Sequence, residues 1–363
     1  MEHQGKFIID GHLDLAMNAL EWNRNLKEPV TAIREREIGM SDKLDRGLGV
    51  VSLPDLRRAR IGLVVATQIA RLVKKDNPLP GWHSPEQAWA QSQGQLAWYK
   101  AMEQQEEMVQ VNDKASLEKH LKLWADKTVE DTAKPIGYIL SLEGADSLVS
   151  LSYLEKAYSS GLRAVGPAHY GPGRYANGTG TEGPLDYKGI ALLKEMDNLN
   201  MILDVTHLTD EAFWQALNLF KGTIWASHHN CRALVPHQRQ LSDDQIKALI
   251  ERNAVIGGAL DVWMLTKGWV RGSSDPVKDG VPMEALIDHY DHICQLAGNS
   301  DHIALGSDLD GMFGKEQSPY DLETIADLGR MDRLLQKRGY TGKDIEQILH
   351  GNWLRVIRNA WRT

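Results

Sequence analysis

Eight short apolar runs, most followed by a helical pattern, constrain this chain more than any other feature. They cover residues 6–9, 61–66, 136–142, 162–168, 201–205, 223–226, 254–260 and 302–306, and each ends at a polar residue. Apolar and polar residues do not alternate within them. Such strands are buried on both faces, which is the condition of a parallel sheet covered by helices. Eight of them in turn with helices predict an α/β fold, the (β/α)8 TIM barrel, which needs about 250 residues.

The chain has 363 residues, and the surplus falls in definite places. A helical insertion carrying Trp82, Trp89, Trp98 and Trp124 is predicted over about 71–131, after strand two, with its long helix over 86–111. Glycine-rich loops occupy 170–188 and 262–282. Both follow strands, so both belong to the mouth where barrels carry their active sites. Helices are predicted over 186–199, 209–220, 242–250 and 283–296, then at the C-terminus over about 320–338, 341–350 and 353–361. Thr209 is a predicted N-cap, and Ser242-Asp243-Asp244-Gln245 is a capping box. Residues 1–363 read as one barrel domain.

The polar residues at the strand ends carry the chemistry. They are His12 and Asp14, Glu143, His169, His207, His228 or the adjacent His229, and Asp308 or the nearby Asp310. Taken singly, each has a plain structural explanation as a turn carboxylate, a helix cap or a hydrogen-bonded histidine. Taken together they converge on one mouth, because parallel strands of a barrel end on the same side. Imidazoles and carboxylates are the donors zinc prefers. Two metals about 3.5–4 Å apart can share a bridging carboxylate and hydroxide. Asp10, His12 and Asp14 lie on one face of a regular strand. The remaining histidines, His3, His83, His120, His237, His289, His292, His302 and His350, are assigned to surface or packing.

Other function classes are disfavoured. The net charge of −8 and the lack of a basic stripe argue against nucleic acid as a partner. The two cysteines, Cys231 and Cys294, do not make a disulfide framework and suit a reducing compartment. No run is apolar and long enough to span a membrane, and neither a signal core nor a lipid-anchor tail is visible, so a cytoplasmic location is expected.

The order Asp10-Gly11-His12-Leu13-Asp14, Glu143-Gly144, His169, Asp204-Val205-Thr206-His207, Ser227-His228 and Gly306-Ser307-Asp308-Leu309-Asp310-Gly311 resembles the zinc-dependent membrane dipeptidase (renal dipeptidase) family. These are barrel metallopeptidases related to the amidohydrolases, and the resemblance runs from about residue 9 to 352. It implies two Zn2+ per chain, with Mn2+ or Co2+ able to share such ligands. His12 and Asp14 would bind one ion, His207 and His228 the other, and Glu143 would bridge them. His169 would contact the substrate carbonyl, Arg239 would hold the dipeptide carboxylate, and Asp308 would be the acid/base. The implied reaction is attack of a metal-bridging hydroxide on a dipeptide, with a D-residue tolerated on the C-terminal side, and the implied assembly is a homodimer. Leu13, Ala16, His229 and Asn230 depart from the family pattern, which bears on the substrate pocket. The competing expectations are another amidohydrolase-type activity on the same site, such as N-acyl amino acid or lactone hydrolysis, and a non-catalytic barrel module.

Overall fold

A computed structural model describes residues 5–73 and 80–361. Strands form at all eight predicted places: β1 (Ile8–Leu13), β2 (Ile61–Ile69), β4 (Ile136–Glu143), β5 (Leu162–Gly166), β6 (Ile202–Asp204), β7 (Ile224–Trp225), β8 (Ile256–Gly258) and β9 (Ile303–Leu305). They pair in parallel in the order β1-β2-β4-β5-β6-β7, with β8 paired to β9. A parallel bridge between Ala226 and Ile256 joins β7 to β8. The outcome is the expected TIM-barrel-like α/β architecture.

The interior of the barrel is one apolar layer to which most strands contribute. Ile9, Leu63, Val65, Ile139, Ala164, Ile202, Trp225 and Ala304 meet there with Val255, and Trp353 from α13 (Asn352–Ala360) joins them. Trp353 also donates to the Leu305 carbonyl at 2.8 Å. A larger apolar shell lies between the strands and the outer helices. Gly257, within β8, and Gly306, just past β9, bring these later strands close under Ser227. A Cβ at either glycine would stand within 2.0 Å of the Ser227 carbonyl oxygen, so that close approach requires glycine.

Closure between β9 and β1 relies on a side chain. Asp10 accepts from the Ser307 N–H at 2.8 Å, from the Ser307 hydroxyl at 2.5 Å and from the His12 N–H at 3.2 Å. The pairing of β1 with β2 shifts register between Asp10 and Leu13, so β1 gains one residue on its partner. Such a bulge re-aims the side chains after it. The shared face expected for Asp10, His12 and Asp14 therefore gives way to a division of labour: Asp10 holds the seam and the other two line the mouth.

The segment 71–131 carries the insertion, but not as one long helix. α4 (Pro85–Gln104) stops short of the expected end at 111, and the short strand β3 (Met108–Gln110) and α5 (Lys114–Ala125) follow. β4 has an open edge before β5 begins, and β3 pairs there with residues 136–138. α4 grips the end of β2. Gln95 exchanges hydrogen bonds with the Ile69 backbone, and the Tyr99 hydroxyl donates to the Thr67 carbonyl at 2.9 Å. Residues 74–79 of the insertion, and His3, lie outside the described residues.

Among the helices, α7 (Tyr187–Asn198) is capped by Asp186, α8 (Asp210–Leu219) by Thr209, and α9 (Asp243–Glu251) by the Ser242–Gln245 capping box. α10 (Ala285–Ala297) lies close to the predicted 283–296. The predicted start at 320 is too early: a 3-10 turn over Ile325–Arg330 leads into α11 (Met331–Arg338). The last two expected helices run together, because α12 (Gly342–Glu346) passes through a π turn, Gln347–Gly351, into α13. Among the described residues no helix is long and apolar enough to cross a membrane.

Replacing Asp10 by Ala would leave the buried Ser307 N–H and hydroxyl without their acceptor. The expected cost is about 2–4 kcal/mol, from the desolvation of buried unpaired donors. A thermal midpoint within a degree of the parent protein would remove the seam from the account of closure.

Candidate metal centre and substrate cavity

Six donor side chains meet at the C-terminal mouth. Three sets have ligand atoms within 4.8 Å of one another: His12, Asp14 and Glu143; Glu143, His207 and His228; and His12, His228 and Asp308. Glu143 is the common member of the first two. Its Oε1 lies 3.2 Å from His207 Nε2 and 3.4 Å from His228 Nε2, while Oε2 lies 3.5 Å from His12 Nε2. His12 Nε2 is also 3.8 Å from both Asp14 Oδ1 and Asp308 Oδ1. His169 Nε2 stands 3.8 Å from Glu143 Oε1.

Local structure explains how the donors reach this point. Glu143 ends β4, and Gly144 follows with φ +75°; a Cβ there would press on the His169 Cβ at 3.3 Å. His207 and Asp308 both adopt positive φ, 69° and 58°. Such backbone is uncommon for residues other than glycine, and it turns each side chain back over the mouth at a cost of about 1–2 kcal/mol. The Thr179 hydroxyl lies 2.9 Å from His207 Nδ1, and the Ser227 hydroxyl 2.8 Å from His228 Nδ1. The Thr67 hydroxyl donates to Asp14. These three hydroxyls fix ring or carboxylate orientation, as outer partners of metal ligands do.

The choices left open by the sequence have definite answers in space. His228 faces the cluster, whereas His229 is buried away from it with neither ring nitrogen hydrogen-bonded. Asp310 accepts from the N–H groups of Val50 and Val51 and is a structural carboxylate, leaving Asp308 at the mouth.

A cavity of about 440 Å3 opens over the cluster. That is within the usual size of small-molecule sites. Its wall includes Arg71, Tyr170, Arg239, Asp261, Trp263 and Met312. Arg239 is 2% exposed; its Nη2 donates to the His228 carbonyl at 2.8 Å and its Nη1 has no partner. His237, assigned above to surface or packing, is exposed and packs edge-on against Trp263; it also lines the cavity and accepts from the Arg239 N–H. Of the loop over 170–188, Tyr170 reaches the cavity.

A family model for the membrane dipeptidases, peptidase family M19, matches residues 3–363. The chain belongs to this family. It is 30% identical over 238 residues to an uncharacterised protein in the pqqA 5' region of Klebsiella pneumoniae, covering 63% of this chain and 84% of that one. It is 30% identical over 232 residues to dipeptidase tcpJ of Claviceps purpurea, covering 62% and 52%. The match thus spans about half the length of such curated dipeptidases. The fold matches the solved dipeptidase AC, a metallopeptidase, with TM-score 0.80 at 22% identity over 99% of both chains. It also matches a Rhodobacter sphaeroides metallopeptidase with TM-score 0.77 at 20% identity, over 99% of this chain and 100% of that one. What these comparisons show of the chain is its membership in the membrane dipeptidase family M19 and the fold that goes with it.

The electrostatics of this M19 mouth fit a cationic guest. Burial drives His169, His207 and His228 well towards the neutral form, His207 to about 3. Neutral imidazole is the form that ligates. Burial opposes ionisation of Glu143 too, yet His12 and His169 beside it hold its carboxyl well below the usual range. Burial and the neighbouring Glu143 push Asp14 up to about 7, and burial pushes Asp308 well up. His12 is the exception. Burial would lower it, but Glu143, Asp14 and Asp308 surround it with carboxylate and raise it to about 10. Without a metal ion, a proton on His12 supplies the missing positive charge. His12 Nε2 is buried and has no hydrogen-bond partner, as a ligand nitrogen awaiting an ion would be.

Of the three hydroxyls, Thr67, which ends the run 61–66, and Ser227, directly before His228, carry a local cue in the sequence; Thr179 carries none. Because His12 keeps its proton below about pH 10 in the metal-free protein, a divalent ion must displace it. Metal affinity should therefore fall as pH is lowered, and binding at pH 7 should release at least one proton. Calorimetric titration in buffers of different ionisation enthalpy measures that release; a value of zero would overturn the reading of His12.

Proposed function

We propose that this chain is a zinc-dependent dipeptidase that hydrolyses short peptides, including those with a C-terminal D-residue, at a two-metal site. The observation that carries the proposal is Glu143, whose two oxygens face different donor sets, His207 with His228 on one side and His12 on the other. In this reading His12 and Asp14 hold one ion, His207 and His228 the second, and Glu143 both. Two divalent ions there would supply Lewis acidity, lowering the pKa of a water and polarising the carbonyl.

The chain's own residues do the rest. Arg239 is held by the His228 carbonyl and has Nη1 to spare, so it can take the terminal carboxylate of a dipeptide. A longer peptide has no free carboxylate at that place, which limits substrate length. Neutral His169 donates an N–H to the oxygen that becomes negative during attack. Asp308 accepts the proton of the attacking water and passes it to the leaving amine. The phosphinate mimic of L-Ala-D-Ala bound by the Rhodobacter sphaeroides protein supports a dipeptide, and a D-residue, in such a cavity.

A panel of L,L- and L,D-dipeptides and N-acyl amino acids, assayed with zinc, tests the substrate class. Failure to cleave any dipeptide sinks it. Asp308→Asn is expected to keep its zinc while turnover falls roughly 100- to 10,000-fold. His207→Ala is expected to lose zinc, read by metal analysis. Arg239→Met should erase the preference for a dipeptide over its C-terminal amide. If the wild-type enzyme cleaves both equally well, the carboxylate clamp is wrong.

A further inference from the structure

Three guanidiniums line the cavity: Arg239, Arg271, whose Nη2 donates to the Met312 carbonyl, and Arg71, which the reaction does not use. It stands just past the end of β2, four residues after Thr67, whose hydroxyl steadies Asp14. The only hydrogen bond of its side chain among the described residues is a weak one, from Nη2 to the Met312 sulfur at 3.9 Å. Its Nε is buried with no hydrogen-bond partner among the described residues. No carboxylate among the described residues lies within ion-pair distance of it.

The acidic groups whose field reaches Arg71 are committed elsewhere. Glu143 serves the imidazoles. Asp146 accepts from the Leu72 N–H at 3.2 Å and the Arg174 N–H at 2.7 Å. Glu21 accepts from the side chains of Gln91 and Gln95. A guanidinium that is largely withdrawn from water and left unpaired is costly unless a ligand completes it. Arg239 has a different place: it holds the His228 carbonyl on the β7 side of the cluster, whereas Arg71 lies with Ile69 and Met312 on the β2 side.

This arrangement has a consequence that rests on the dipeptidase reading. With the terminal carboxylate on Arg239 and the scissile carbonyl over the metal ligands, the N-terminal residue of the substrate extends towards Arg71. We infer that Arg71 is a specificity-determining residue that receives an anionic side chain, so that the preferred substrates carry Glu or Asp at the N-terminal position. The planar fork of Arg suits a carboxylate in two-point contact.

The test compares L-Glu-D-Ala, L-Gln-D-Ala, L-Leu-D-Ala and L-Lys-D-Ala on the wild-type enzyme and on Arg71→Gln and Arg71→Lys. For the wild type, kcat/KM is expected to be about 10- to 100-fold higher for the Glu than for the Gln substrate, as for a charge-assisted hydrogen-bonded pair. Arg71→Gln should bring the Glu and Gln substrates to equal kcat/KM, and Arg71→Lys should keep part of the ratio. Equal rates on Glu and Gln substrates, or a preference for Lys, would overturn the inference. Calorimetric titration with uncleavable ketomethylene isosteres of the Glu and Gln dipeptides separates this failure from failure of the dipeptidase reading. If no peptide is cleaved, tighter binding of the Glu isostere to wild type, abolished in Arg71→Gln, still supports Arg71, and equal binding overturns it.

Discussion

The mouth of this barrel confines like charges that would drive one another apart. Asp14, Glu143 and Asp308 are gathered around one imidazole, His12; the first two are buried and Asp308 is largely so. Burying several carboxylates together is unfavourable unless a cation compensates them. In the metal-free molecule that crowding favours the protonated forms: Glu143, Asp14 and Asp308 raise His12, and burial raises Asp14 and Asp308. A divalent ion does the same work with more charge and at shorter reach. The site is thus assembled at a cost to the fold, and the metal repays it; this is why metal binding and proton release must be coupled here.

What pins the donors is a repeated use of one device. Asp10, near the end of β1, accepts from the N–H two residues on and from the N–H of Ser307 in the neighbouring strand's tail. Asp204, at the end of β6, does the same with Thr206 and Ser227. In both cases the neighbouring serine directly precedes a residue of the mouth, Asp308 or His228. Each carboxylate therefore replaces strand pairing where the short strands end, and sets the register of the next donor. The ladder itself could not do this, because β7, β8 and β9 are only two or three residues long.

The parts legible in the sequence were those carried by local pattern. Continuous apolar runs such as 136–142 identify doubly buried strands without any tertiary knowledge, and Ser242 with Gln245 identifies a helix start. The donor residues were legible because each follows such a run. The bulge in β1 was not, since Asp10, His12 and Asp14 keep a perfect alternation and only pairing with β2 reveals the extra residue. β3 was hidden for a similar reason: Met108–Gln110 continues the apolar pattern of α4, and its strand state is imposed by the open edge of β4. His237 gave no signal either, because it belongs to no strand end; it reaches the cavity through the loop that positions Arg239.

Backbone strain ties the fold to its chemistry. His207 and Asp308 sit in left-handed conformations that glycine would occupy without penalty. Neither position uses glycine, because each needs a side chain directed across the mouth. Gly144 shows the other solution: Glu143 is aimed by the strand itself, so the turn that follows can take the residue best suited to positive φ. Strain is retained at His207 and Asp308, which leave the short strands β6 and β9, and is avoided at Glu143, which ends a long strand, and at His228, which the Ser227 hydroxyl and the Asp204 carboxylate place instead.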